Sequence, residues 1–173
     1  MLTITKDVLF DECGLEMSLK TVGGKEKLCV SPAKEIELLY NAEKHFSNIA
    51  ISADQPSKHQ ITSKCYDITL SVPMENSFVF ILFGFGLNYD TKQSILKCRD
   101  KGVPLKGENG VLTIRLVIDT ISAEIFADNG SIFIGMAYIQ DYNLNTLTIG
   151  AESFIESVDI RIAEVKPFWE EVK

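Results

Sequence analysis

The sequence predicts an all-β fold, a sandwich or a barrel. Three observations carry that reading. Ten short segments either alternate apolar with polar residues or run briefly apolar. Gly, Asn, Asp and Pro separate them at short, regular intervals. Only one segment shows helical spacing, which is the pattern of antiparallel sheets and not of βαβ units.

The first two segments, "LEMSLKT" (15–21) and "EKLCVS" (26–31), flank Gly23-Gly24 as the arms of a hairpin. The exception follows in "SPAKEIELLYNAEKHF" (31–46). Ser31 suits an N-cap and Pro32 the first helical position, and Ile36, Leu39 and Tyr40 recur at helical spacing, so a short helix is predicted over 32–44. "SADQPSKHQ" (52–60) is polar and reads as a loop. "YDITLSV" (66–72) is the next strand. "SFVFILFGFGLNY" (77–89) reads as one central strand buried on both sides, Phe78 and Phe80 on one face, Phe83 and Phe85 on the other.

"QSILKC" (93–98) precedes a three-stranded meander over 111–139. In "VLTIRLVID" (111–119), Leu112, Ile114, Leu116 and Ile118 share one face, and Thr113, Arg115, Val117 and Asp119 the other. The chain reverses near Thr120 and returns along 122–127, with Ser122, Glu124 and Phe126 on a common face. Asp128-Asn129-Gly130 then predicts a type I′ turn, because Asn and Gly tolerate positive φ. Strands over 131–139, 145–150 and 155–165 complete the pattern.

The 173 residues suit one domain with a sizeable core. A net charge of −7 argues against nucleic acid as a partner, since a phosphate backbone needs a basic face. The residues after Met1 lack a signal peptide's basic start and apolar run, and no uninterrupted apolar stretch is long enough for a membrane helix. Cys13, Cys29, Cys65 and Cys98 are spread too widely for a metal site and read as reduced thiols. Together these features favour a cytoplasmic location for a chain that starts at Met1; for a piece of a longer protein they carry no such information.

Asp119 and Glu124 raise the question of catalysis. A glycosidase uses one carboxyl as acid and a second as nucleophile or base. Here the pair sits at a strand bend. It reads better as a turn-capping Asp119 and a Glu124 facing Arg115 across the strands. His45 and His59 carry no ligand pattern, and Gly84-Phe85-Gly86 lacks the strand-to-helix context of a nucleotide loop. No metal and no cofactor is expected.

The same meander carries a resemblance. "LTIRLVIDTISAEIFADNGSIFIGMAYI" resembles the hallmark of the C-terminal β-sandwich module of glycoside hydrolase family 32, the family of invertases, levanases, inulinases and sucrose-6-phosphate hydrolases. Leu116, Val117, Asp119, Ser122, Glu124, Phe126 and Gly130 stand in matching places. Thr120 replaces the usual Arg, Ile121 the first Ser, and Asp128-Asn129 reverses the family's Asn-Asp. In "LEMSLKTVGGKEKLCVSPAKEIELLY", Pro32, Glu35, Ile36 and Leu39 match the segment that joins the two domains of the family, with Tyr40 where Arg is usual. "GLNYDTKQSILKCRD" is similar to a third family element.

The resemblance implies a concanavalin-like sandwich of two antiparallel sheets, with a junction segment at 1–46 and the sandwich at 47–173. It also implies a missing engine. The family's chemistry resides on an N-terminal propeller with Asn-Asp-Pro-Asn-Gly, Arg-Asp-Pro and Glu-Cys-Pro motifs. Here Arg99-Asp100 is followed by Lys101, and Glu12-Cys13 by Gly14, so no catalytic residue is assigned. The implied role is that of an accessory module supporting the propeller of a sucrose- or fructan-cleaving enzyme. The alternative is a fructan-binding module, for which Arg115, Asp119 and Glu124 are the candidate contacts. Leu15, Met17, Leu19, Val30, Ile36 and Leu39 suggest an apolar face for the propeller or for self-association. Trp169 is expected to pack the tail onto the sandwich.

Overall fold

The computed structural model describes residues 9–10, 15–22, 24–107 and 110–166. Cys13, Glu12 and Trp169 lie outside these residues. Three strands open the chain: β1 (Leu9–Phe10), β2 (Leu15–Val22) and β3 (Lys25–Pro32) form a small antiparallel sheet in that order. A six-residue 3-10 turn, Lys34–Leu39, leads into β4 (Tyr40–Ile51).

The helix predicted over 32–44 is therefore shorter and of another type. Ser31 pairs with Glu16 inside the small sheet, and Ala33 holds the N-cap position without a side-chain cap. From Tyr40 onward the backbone pairs with the last strand, and that ladder overrides the local helical spacing. β4 runs unbroken across position 46, where the sequence placed the edge of the junction.

The sandwich continues through β5 (Ser57–Gln60), β6 (Tyr66–Pro73), β7 (Phe78–Leu82), β8 (Phe85–Asp90), β9 (Ile95–Cys98) and β10 (Lys101–Pro104). It closes with β11 (Val111–Ile118), β12 (Ser122–Ala127), β13 (Ile132–Ala137), β14 (Thr146–Ala151) and β15 (Ile155–Val165). One six-stranded sheet has the order β10-β9-β8-β7-β14-β5, the other β13-β12-β11-β6-β15-β4. Every pairing is antiparallel. Strand β5 lies where the sequence predicts a loop, and β10 where it predicts no element.

The core fills the space between the sheets. Leu112, Ile114, Leu116 and Ile118 point inward from β11, beside Ile68, Leu70 and Val72 of β6, all fully buried. Facing them are Phe80, Leu82, Phe85, Leu87, Leu147 and Ile149 from β7, β8 and β14. Burying each such side chain contributes about 1.5–3 kcal/mol before the entropy of ordering is subtracted.

Two turns differ from expectation. The 77–89 run is a hairpin, not one strand: Leu82 pairs with Phe85 across Phe83-Gly84, both with positive φ (49° and 78°). This two-residue reversal puts Phe78, Phe80 and Phe85 on the same inner face, while Phe83 caps the end against Tyr66 and Tyr142. The 128–130 turn is longer than a type I′ turn. Ala127 pairs with Ile132, leaving four residues in the loop, and Asp128, Asn129 and Gly130 all have positive φ. A β-carbon on Gly130 would lie 2.2 Å from the Val30 carbonyl oxygen, so β3 shapes this loop.

The path from β3 to β4 has a consequence for the outer face of the second sheet. Val30 touches the loop at the β13 edge, whereas β4 forms the opposite edge. The connection through the 3-10 turn spans the width of that sheet. Cys29, Cys65 and Cys98 are free and buried, in line with reduced thiols. No helix among the described residues is long and apolar enough to cross a membrane.

Candidate functional site

The outer face of the β13-β12-β11-β6-β15-β4 sheet carries the polar residues singled out in the sequence. Strand alternation places them in rows. Glu43, Ala163, Asp67, Val117, Glu124 and Gly135 lie side by side across the six strands, and His45, Arg161, Thr69, Arg115, Phe126 and Phe133 form the next row. Phe126 and Phe133 meet with ring centroids 5.1 Å apart.

Arg115 is held by Asp67, an acid the sequence reading did not single out. Its Nε donates to Asp67 Oδ1 at 3.0 Å and its Nη2 to Oδ2 at 2.5 Å. Tyr40 donates its hydroxyl to the same carboxylate at 2.6 Å. Asp67 itself has no exposed surface. A buried carboxylate is tolerated only with such charge-assisted partners. Burial disfavours the charged Arg115, but the bonds and charge of Asp67 outweigh it and raise its pKa. Burial and then Asp67 raise the Tyr40 hydroxyl as well.

The chain of contacts continues to β15 and β4. The Arg161 guanidinium stacks 5.0 Å above the Tyr40 ring and donates Nε to Glu43 Oε1 at 2.7 Å. That bond holds Glu43 below the usual carboxylate range, with His45 adding to it. The result is a fixed network across four strands. Its guanidinium and carboxylate groups are engaged with one another.

Asp119 lies at the end of β11, in the turn that leads to β12. Asp119 terminates β11, accepts from the Thr120 amide and from Thr120 Oγ1 (2.9 Å), and its amide donates to the Ser122 carbonyl. This is the turn-capping role read from the sequence. Glu124 faces Val117 across the ladder, and Arg115 faces Phe126. Arg115 takes Asp67 of β6 as a hydrogen-bond partner, one that the strand pattern of β11 and β12 did not point to. No cluster of three or more metal-binding side chains occurs among the described residues.

Two cavities lie elsewhere. A small one of about 270 Å³ opens at the seam between β4 and β5, lined by Lys44, Phe46, Lys58, His59, Tyr66 and Glu164 among others. His59 packs 4.3 Å from Phe46 and has its pKa lowered by burial and by Lys44. The larger, about 750 Å³, is an open groove on the outer face of the β10-β9-β8-β7-β14-β5 sheet. Val79 and Gly150 lie among its walls with Ser77, Asn88, Asp90 and Lys97. The sequence offered no signal for it, because its residues come from strands far apart in the chain.

No known family profile matches the sequence, and no curated protein matches it. Solved structures do. The exo-inulinase of Aspergillus awamori is similar with a TM-score of 0.75 at 16% identity, over 90% of this chain and 35% of that one. The sucrose-6-phosphate hydrolase of Lactobacillus gasseri gives 0.68 at 15% identity, over 88% and 33%. The fructan 1-exohydrolase IIa of Cichorium intybus gives 0.62 at 12% identity, over 92% and 47%. This chain thus spans less than half of each of these enzymes. It has the fold of that part of them, in agreement with its resemblance to the sandwich module of glycoside hydrolase family 32.

Proposed function

We propose that this chain is the non-catalytic β-sandwich module of a family 32 type glycosidase acting on sucrose or fructans, and that it supports the catalytic propeller of that enzyme. The observation that carries the reading is the partial overlap: 90% of this chain overlies only 35% of an exo-inulinase. The engaged state of Arg115 and Asp67 and the capping role of Asp119 support the absence of catalysis in this chain.

The three-stranded sheet is the proposed junction. Lys27 and Cys29 share the face of β3 that turns toward the sandwich, where Lys27 meets Asp128 at 3.3 Å and Cys29 is buried. The opposite face carries Met17, Leu19 and Val30, half-buried, and Leu28, 51% exposed. An exposed apolar strip of this kind suits a domain interface. In this reading the junction ends at Leu39 and the sandwich begins at Tyr40.

The test is an activity assay with a pull-down. The purified chain should release no sugar from sucrose, inulin or levan. A partner captured on it should bring that activity, and Leu28→Glu should weaken the capture. Sugar release by the chain alone, abolished by Glu124→Gln, would overturn the proposal. Capture of only further copies of the chain would favour self-association instead. A second reading, a fructan-binding module, is favoured by the open groove on the other sheet.

A further inference from the structure

We propose that the groove on the outer face of the β10-β9-β8-β7-β14-β5 sheet is a binding site for a short, neutral oligosaccharide. Its volume of about 750 Å³ falls in the range of small-molecule sites, roughly 300–1,000 Å³. A row of its lining residues crosses three strands: Val79 lies between Asn88 of β8 and Gly150 of β14. Gly150 lacks a side chain, and a β-carbon there would meet Pro56 and Val79, each at 3.6 Å, so the absence keeps the floor low.

The polar groups of the groove contrast with those of the other face. Asn88, Lys92, Thr148 and Glu152 make no side-chain hydrogen bond among the described residues, leaving donors and acceptors for a ligand. Asp90 and Lys97 are paired at 3.3 Å. Two acids, Asp90 and Glu152, balance two bases, Lys92 and Lys97, so the site has no net charge to select an ion. The lining aromatics Phe78 and Tyr89 are 3% and 2% exposed and point into the core, which removes a stacking platform. A ligand here is recognised through many hydroxyl groups, and that is saccharide chemistry.

The groove lies on the sheet opposite the one that meets the proposed junction. The small N-terminal sheet touches β13 and the 128–130 loop, both of the opposite sheet. That the saccharide is a fructan rests on the proposed function; that it is neutral and bound over Asn88 rests on the groove alone.

Amide NMR titrations of the intact chain test both, with levan- or inulin-derived oligosaccharides and cello-oligosaccharides as probes. We expect saturable shifts at Ser77, Val79, Asn88, Asp90, Lys97 and Gly150, with half-saturation near about 1 mM. Asn88→Ala should weaken binding at least fivefold, and Asn88→Trp, which fills the groove, should abolish it. Thr113→Trp on the opposite face should leave it unchanged. Amide spectra of each variant report whether it is folded. No saturable shift with any probe, or shifts that cluster around Arg115 or survive Asn88→Trp, would overturn the groove. Binding of cello-oligosaccharides but not fructans at these residues would uphold the groove and count against the fructan reading.

Discussion

Asp67 and Arg115 are joined by two parallel hydrogen bonds on a face where the carboxylate has no exposed surface. The pair links β6 to β11 at the centre of the sheet, and its Arg115 is one of the residues for which the sequence suggested a carbohydrate contact. A guanidinium held in this way is a structural clamp. Its removal leaves a buried charge without a counter-ion.

Arg115→Met should therefore lower the unfolding free energy by about 3–5 kcal/mol, measured by urea denaturation. Replacing both partners, Asp67→Leu with Arg115→Met, should recover most of the loss, since no charge remains to be desolvated. A loss under about 1 kcal/mol for the single variant would mark the pair as no stronger than a surface ion pair.

Gly130→Ala should loosen the N-terminal sheet. Its φ of 87° is left-handed, which costs a residue with a β-carbon about 1–2 kcal/mol, and the Val30 carbonyl must also move. Hydrogen exchange should accelerate at Cys29 and Val30 while the amides of β6 and β11 stay protected. Equal protection throughout would contradict the contact.

The thiols of Cys65 and Cys98 should be inert at neutral pH. Burial pushes both up to about 11 from an ordinary 9.0. Iodoacetamide at pH 8 should leave them unmodified in the native protein and alkylate them in urea. The raised values also set a sign. The stability they contribute is complete below pH 9 and is lost as the pH rises toward 11.

Acid should destabilise the fold partly through His59. Burial holds its folded pKa below the ordinary 6.5, so the unfolded chain takes up the proton first. Stability present above pH 6.5 then declines as the pH falls through the folded value. Glu43 and Asp90, both lowered, act in the same direction at lower pH. The melting temperature of His59→Gln should fall less between pH 7.5 and 5 than that of the native chain, and NMR titration should place His59 below 6.5. Identical pH profiles would remove His59 from this account.

The elements legible in the sequence were those whose faces alternate strictly. The inward row Leu112, Ile114, Leu116, Ile118 is one, and the capping carboxylate of Asp119 is another. The start of the β4 strand was hidden because it continues a segment in which Ile36, Leu39 and Tyr40 recur at helical spacing, which the ladder with β15 overrides. The hairpin at Phe83-Gly84 was hidden because a phenylalanine occupies a left-handed turn position that sequence rules reserve for Asn or Gly. Asp67 was hidden in an apolar strand, since the partners that justify its burial come from β4 and β11. Strand alternation identifies a face, but register and neighbouring strands decide which polar groups meet on it.

The position of β15 governs how this protein can be made. It lies between β6 and β4, so the strand that follows all the others fills a place inside its sheet. Until β15 emerges from the ribosome, β6 presents one open edge and β4 has no ladder to join. Contacts such as Thr69 with Arg161 close a long stretch of chain, and topologies of this kind fold in milliseconds to seconds, not microseconds. Until then the nascent chain carries an unpaired edge on β6 and an unpaired β4. Yield on expression should depend more on chaperone supply and translation speed than on the stability of the finished sandwich.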